Sequence, residues 1–307
     1  MLFRSEDTKM AEFTAKDVMK LREQTGAGMM DCKRALVDAD GDMEKAADLL
    51  RERGIAKAAK RASKIAAEGV VYALVEGKVG VLVEVNCESD FVAKGDKFKE
   101  LVAAVAKQIA AVKPATVEEL LASDMGGKTV ETFVQEQIAV IGEKISVRRF
   151  TVYESQGFIE TYIHMGGTMG VMLDFAGNAT EQAKTVAHDV ALHVAFSKPQ
   201  YMTAAEVSQE TLDKEKAILT QEVMNEGKPA AIAEKIVMGK LKKFYEENCL
   251  MDQKFIKDDK LTIAQLMKTA DGAALKRFCF FVRGEGLEKK SEDLSEEVAK
   301  QVEAMKK

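Results

Sequence analysis

The sequence predicts an α+β fold with a duplicated core, and three observations carry that prediction. Two segments read as strand–turn–strand at a constant separation of 90 residues: Val70–Leu74 with Val79–Val85, and Thr161–His164 with Met169–Phe175. Glycine-bearing turns, at Gly77 and at Gly166-Gly167, join the strands of each pair. A segment of helical apolar spacing follows each hairpin, Leu101–Val112 and Thr185–Phe196, here 85 residues apart. Antiparallel hairpins backed by helices are the material of an α+β architecture.

The elements follow in order. Residues 1–10 form an extension, and 11–54 read as a module of three short helices. Thr14-Ala-Lys-Asp17 offers a capping-box start, and Thr25-Gly-Ala-Gly28 breaks the first helix. Asp42 suits the cap of the third helix, and Gly54 stands where a helix-ending glycine is wanted. So small a core needs a neighbour to lean on. Residues 55–68 read as a helical linker, rich in Ala and cations. Lys57, Lys60, Arg61 and Lys64 could be taken for a nucleic-acid patch, but no aromatic interleaves them, which favours a solvated helix face.

The core halves fall at 69–150 and 151–204, and 250–286 completes the second half, with Phe278–Val282 its clearest strand. An antiparallel helical hairpin interrupts that half at 205–249. Ile218, Val223 and Met224 mark the apolar stripe of its first helix. Ile232, Ile236, Val237, Leu241, Phe244 and Tyr245 mark the second, and Gly227-Lys228-Pro229 supplies the stop and start between them. A charged C-terminal helix is expected in 287–307.

Composition excludes several classes. At roughly 100–200 residues per domain, 307 residues suggest two or three domains. With 47% hydrophobic residues the chain can build cores, and a net charge of −5 argues against a bulk binder of nucleic acid. The longest run without Asp, Glu, Lys or Arg, Thr161–Leu173, is too short for a membrane span, which needs about 20 apolar residues. The first nine residues lack a hydrophobic signal core, so a cytoplasmic protein is expected. Cys32, Cys87, Cys249 and Cys279 form no CxxC pair. His188 and His193, five apart, lack the HExxH geometry of a zinc helix. No Walker A sequence and no GxSxG elbow occur, and the glycines of 166–170 lie within a hairpin and open no helix. No catalytic residue, cofactor or metal site is therefore expected.

One segment remains. The drop from a 90-residue to an 85-residue offset gives the first half about five additional residues between strand and helix, within Asn86–Asp96. That loop sets Asp90 and Phe91 among small and polar residues. Either Phe91 tucks under its own loop, or a partner buries it and recovers roughly 1.5–3 kcal/mol.

At this loop the chain resembles a known family. Thr25-Gly-Ala-Gly-Met-Met-Asp-Cys-Lys33 and Glu84-Val-Asn-Cys-Glu-Ser-Asp-Phe-Val-Ala-Lys94 are similar to signature segments of bacterial elongation factor Ts. The similarity continues through Ile141-Gly-Glu143, Ala191–Ala195 with Lys198-Pro199, Gly227-Lys-Pro229, Ala233–Val237, Lys242-Lys-Phe244 and Gly284-Glu-Gly286. It spans nearly the whole chain from Met10, while residues 1–9 have no family counterpart.

The resemblance implies a guanine-nucleotide exchange factor for elongation factor Tu, without bond chemistry, acting indirectly on that GTPase's GDP and magnesium. It implies a UBA-like N-terminal module, two similar subdomains and a helical hairpin, and it leaves open a dimer of heterodimers. It also implies that Ser89, Asp90, Phe91 and Val92 enter the GTPase near its magnesium site, with Ser89 standing where the family has Thr. Asp90 is expected to orient this loop through hydrogen bonds. Tyr162 and His164 match a second contact strand. Thr168 and Met169 depart from the basic and aliphatic residues usual in the adjoining turn. Two other classes of function stay beside this one: a nucleic-acid adaptor using the basic linker, and a binder of a ubiquitin-like ligand using 14–54.

Overall fold

The computed structural model describes residues 13–226 and 230–288. Residues 1–9, the Gly227-Lys228-Pro229 turn and the expected C-terminal helix lie outside them. The fold is α+β.

Three helices open it: α1 (Ala15–Thr25), α2 (Met29–Asp38) and α3 (Met43–Arg61). Thr14 and Asp17 close a reciprocal capping box on α1, and Gly26 ends that helix at φ 67°. Asp42 caps α3 by accepting the N–H groups of Glu44 and Lys45. A small core of Val18, Leu21, Cys32, Ala35, Leu36, Ala39 and Ala46 holds the three together.

Gly54 does not end α3. The helix runs straight through it, and a Cβ at Gly54 would stand 3.0 Å from that of Ala139. The glycine serves close helix approach rather than termination, so the first seven linker residues, 55–61, are helix. Of the linker cations, Lys57 pairs with Asp31 and Arg61 with Glu88.

The first half comprises β1 (Glu68–Glu76), β2 (Val79–Cys87), α4 (Asp90–Lys94), α5 (Asp96–Val112), α6 (Val117–Ala122), α7 (Val130–Ile141) and β3 (Ile145–Glu154). The second has β4 (Phe158–His164), β5 (Met169–Ala176) and α8 (Glu181–Ser197). The hairpin α9 (Gln209–Asn225) and α10 (Ala230–Asn248) follows, then β6 (Lys254–Phe255), β7 (Asp258–Thr262), α11 (Ile263–Met267) and β8 (Ala274–Val282). Each half holds a three-stranded antiparallel sheet, β1-β2-β3 or β4-β5-β8. The third strands enlarge the predicted hairpins.

The repeat extends to irregularities. Both central strands shift register at the same place, Glu84/Val85 and Asp174/Phe175. Helices α5 and α8 each have 17 residues, and each ends on a lysine in the left-handed region, Lys113 and Lys198. The five residues by which the halves differ are filled by α4.

The two sheets pack on each other through Val71, Leu82, Tyr153, Met172 and Phe281. Glycines make the approach: a Cβ on Gly80 would fall 2.7 Å from Ile159, and one on Gly170 would fall 2.6 Å from Val71. At this seam the third strands exchange arginines. Arg149 bonds Glu84 at 2.7 Å and lies over the Phe281 ring. Arg277 bonds Asp174 at 2.8 Å and lies over the Tyr153 ring. Each cation thus neutralises a carboxylate of its own sheet and stacks on an aromatic of the other.

The hairpin between α8 and β6 has its own small core of Val223, Ala233 and Val237, braced by Lys240 on Glu222. Only Val223 of the predicted α9 stripe is buried in it. Ile218 and Met224 are more than half exposed, because α9 buries a narrower face than the apolar spacing suggested. The second core closes over α8 with Leu250, Phe255, Ile263 and Leu266.

Glu84 is fully buried and accepts from Arg148, Arg149, Asn86 and the Gly284 N–H. Burial works against its charge, but the Gly284 N–H, Arg148, Asn86 and Arg149 together outweigh that and hold the carboxyl below its usual range. Its folded pKa therefore lies under the unfolded value of about 4.3, so its contribution is complete above that pH and is lost as pH falls through the folded value. Glu84→Gln strands two arginines at the seam and is expected to cost about 3 kcal/mol in urea unfolding at neutral pH, with a smaller difference from the parent in acid.

Candidate functional site

At the end of β2 the chain meets its extra residues. Ser89 caps α4, accepting the Val92 N–H at 3.3 Å, and the Gly95 N–H closes the turn on Val92 O. A five-residue helix has too few hydrogen bonds to stand alone. Its inner face supplies the rest: Ala93 is buried, and Val92 packs on the first core. Because those two face inward, Asp90 and Phe91 are presented outward.

Phe91 is 84% exposed, which excludes its tucking under its own loop. Asp90 is also exposed and bonds Lys94 at 2.6 Å. The Lys94 ammonium holds that carboxyl below the usual carboxylate range.

The loop is oriented by other groups than Asp90. Glu143 Oε2 accepts the N–H groups of Glu88 and Ser89, at 3.1 and 3.0 Å, and Oε1 accepts the Ser89 hydroxyl at 2.6 Å. In return Glu88 Oε1 accepts the Lys144 N–H at 2.6 Å and Arg61 Nη1 at 2.8 Å. Burial opposes the charge of Glu88, but the Lys144 N–H and Arg61 hold its carboxyl down. Burial, reinforced by the charge of Glu143, pushes the Cys87 thiol up to about 12. It is neutral and donates to Ser89 O.

Tyr162 and His164 lie on β4, with the phenol oxygen 2.9 Å from His164 Nδ1 and the ring edge-on to His188. They line an open groove of about 550 Å³ with Leu192, Phe196 and Ile256, in which Phe196 is 71% exposed. In the adjoining turn Thr168 donates to His164 O, and Met169 is buried. Beside this turn the Arg283 N–H donates to Thr168 O, and its guanidinium pairs with Glu68.

His193 is a core residue. One ring nitrogen lies 2.9 Å from Gln253 Oε1, and Nδ1 accepts the Ile256 N–H. Among the described residues no group of three or more His, Cys, Asp or Glu side chains could hold a metal ion. No helix among them is long and apolar enough to cross a membrane.

Sequence reasoning singled out the turn that exposes Phe91 but missed the residues that set it. Glu143 was visible only as the last letter of Ile141-Gly-Glu143. The available signal was its position directly after a helix-ending glycine, Gly142 at φ 86°.

A family model described as elongation factor TS matches residues 88–285. The chain is 44% identical over 292 residues to the elongation factor Ts of Halothermothrix orenii, covering 94% of this chain and 97% of that relative.

Ser89→Ala removes the α4 cap and one bond to Glu143, and is expected to lower stability by about 1–2 kcal/mol in urea unfolding. Ser89→Thr keeps the hydroxyl and is expected to stay within about 0.5 kcal/mol of the parent.

Proposed function

The chain belongs to the elongation factor Ts family, and on that premise we propose that it binds elongation factor Tu carrying GDP and promotes release of the nucleotide. One observation carries the mechanism: an exposed phenylalanine on an anchored turn that only one half of the duplicated core possesses. Phe91 enters an apolar slot of the GTPase beside its magnesium site, with Ser89, Asp90 and Val92 forming the rest of the contact. Displacing the magnesium ligands removes charge compensation from the phosphates, and GDP leaves for GTP to replace it. No bond is made or broken by the factor itself. By linkage, a factor that favours the nucleotide-free GTPase is itself weakened by nucleotide to the same extent.

Tyr162 and His164 supply a second contact from the other half, where the groove beside them offers apolar surface. The three helices of 11–54 act as a UBA-like module, and the hairpin of 205–249 is a separate arm. The work is cytoplasmic and needs no direct contact with nucleic acid, which suits a linker whose Lys57 and Arg61 already face carboxylates.

Magnitude bounds the part of one side chain. Burying Phe91 is worth roughly 1.5–3 kcal/mol, which, spent wholly on the release transition state, gives about 10–200-fold. Phe91→Ala is therefore expected to slow release of fluorescent GDP from elongation factor Tu by up to that factor while leaving substantial binding. Release at the parent rate would rule out the wedge.

A further inference from the structure

We propose that Glu143 is the positioning residue of the 88–92 turn, the group that fixes where Phe91 points. The proposal rests on the wedge reading above and names a residue to which that reading gives no part. The turn is held at its far end by packing of Val92 and Ala93. At its near end the strand has finished and no ladder partner remains: β2 pairs with β1 and β3 only as far as Cys87. The next two N–H groups, of Glu88 and Ser89, both go to one oxygen of Glu143.

The other oxygen takes the Ser89 hydroxyl, whose own oxygen receives the Val92 N–H. A single carboxylate therefore sets the direction in which the backbone leaves β2 and the rotamer of the residue that caps α4. Phe91 sits between these two fixed ends.

Glu143 is itself rigidly placed. Gly142 ends α7 before it, and Lys144 after it is pinned by its N–H to Glu88 and by its ammonium to the carbonyls of Ala62 and Lys64, at 2.7 and 2.8 Å. The side chains of Glu88 and Glu143 thus cross: Glu143 holds the Glu88 N–H, and Glu88 holds the N–H of Lys144, the residue after Glu143. A group that acts by orienting Phe91 loses its effect on the partner once Phe91 is gone, whereas a group that merely stabilises the protein does not.

The test is a double-mutant cycle read at saturating factor, as the maximal rate of GDP release from elongation factor Tu. Loss of the charge-assisted bonds in Glu143→Ala is expected to lower that rate about tenfold in the parent and less than about twofold in Phe91→Ala. Equal losses in both backgrounds, or no loss in the parent, would overturn the proposal. Slow release with Phe91→Ala but parental release with Glu143→Ala removes the positioning role alone; parental release with Phe91→Ala removes the wedge and this inference with it. Amide hydrogen exchange at Ser89 and Val92 gives a readout that needs no partner: it is expected to quicken about tenfold in Glu143→Ala, and unchanged exchange would contradict the clamp. Should the alanine variant fail to fold, Glu143→Gln repeats both measurements with side-chain volume kept.

Discussion

A carboxylate sealed between two sheets must be answered by donors from both, and Glu84 sets that condition here. Two arginines of β3, an asparagine of its own strand and the Gly284 N–H beyond β8 converge on it. The last of these comes from the far end of the duplicated core, 200 residues along the chain. Burying the charge without them would cost several kcal/mol, and the Gly284 N–H ties that compensation to the second half. Phe281 under Arg149 and Tyr153 under Arg277 make the same demand from opposite sides. The seam combines an apolar cluster with paired charges.

On this frame the two halves share a strand pair and a backing helix, and between those shared elements they differ by one insertion. The paired strands and their register shifts recur 90 residues apart, and the backing helices with their terminal lysines 85 apart. A scaffold copied so closely makes its departure informative. The five residues of α4 do nothing for the seam, and they put the most solvent-exposed large apolar side chain among the described residues on the surface. Within that turn the inward residues Val92 and Ala93 join the first core, while Phe91 contributes almost nothing to it.

The periodic features were legible in the sequence because they are local. The capping box at Thr14, the cap at Asp42 and the 90-residue repeat each depend on neighbours in the chain or on identity between copies. Features that depend on distant partners were not. Gly54 looks the same whether it ends a helix or admits Ala139, and only the position of α7 decides between them. Ile218 and Met224 have helical spacing, but the width of the face that α10 covers is not written in α9. Phe91 could be singled out by counting residues between copies, whereas Glu143, 54 positions from Ser89, could not be joined to it without a fold.

The continuity of α3 alters how the N-terminal helices take part in any encounter. At 19 residues it is a rod of about 28 Å, the first half of which belongs to the small helical core, while Ala58 belongs to the core of the first sheet. A flexible tether would let the module search a volume and would charge its ordering to each binding event. A rod does not. A protein that touches both the module and the first sheet meets them at a fixed spacing, as one surface, with the entropy of their alignment already spent in folding.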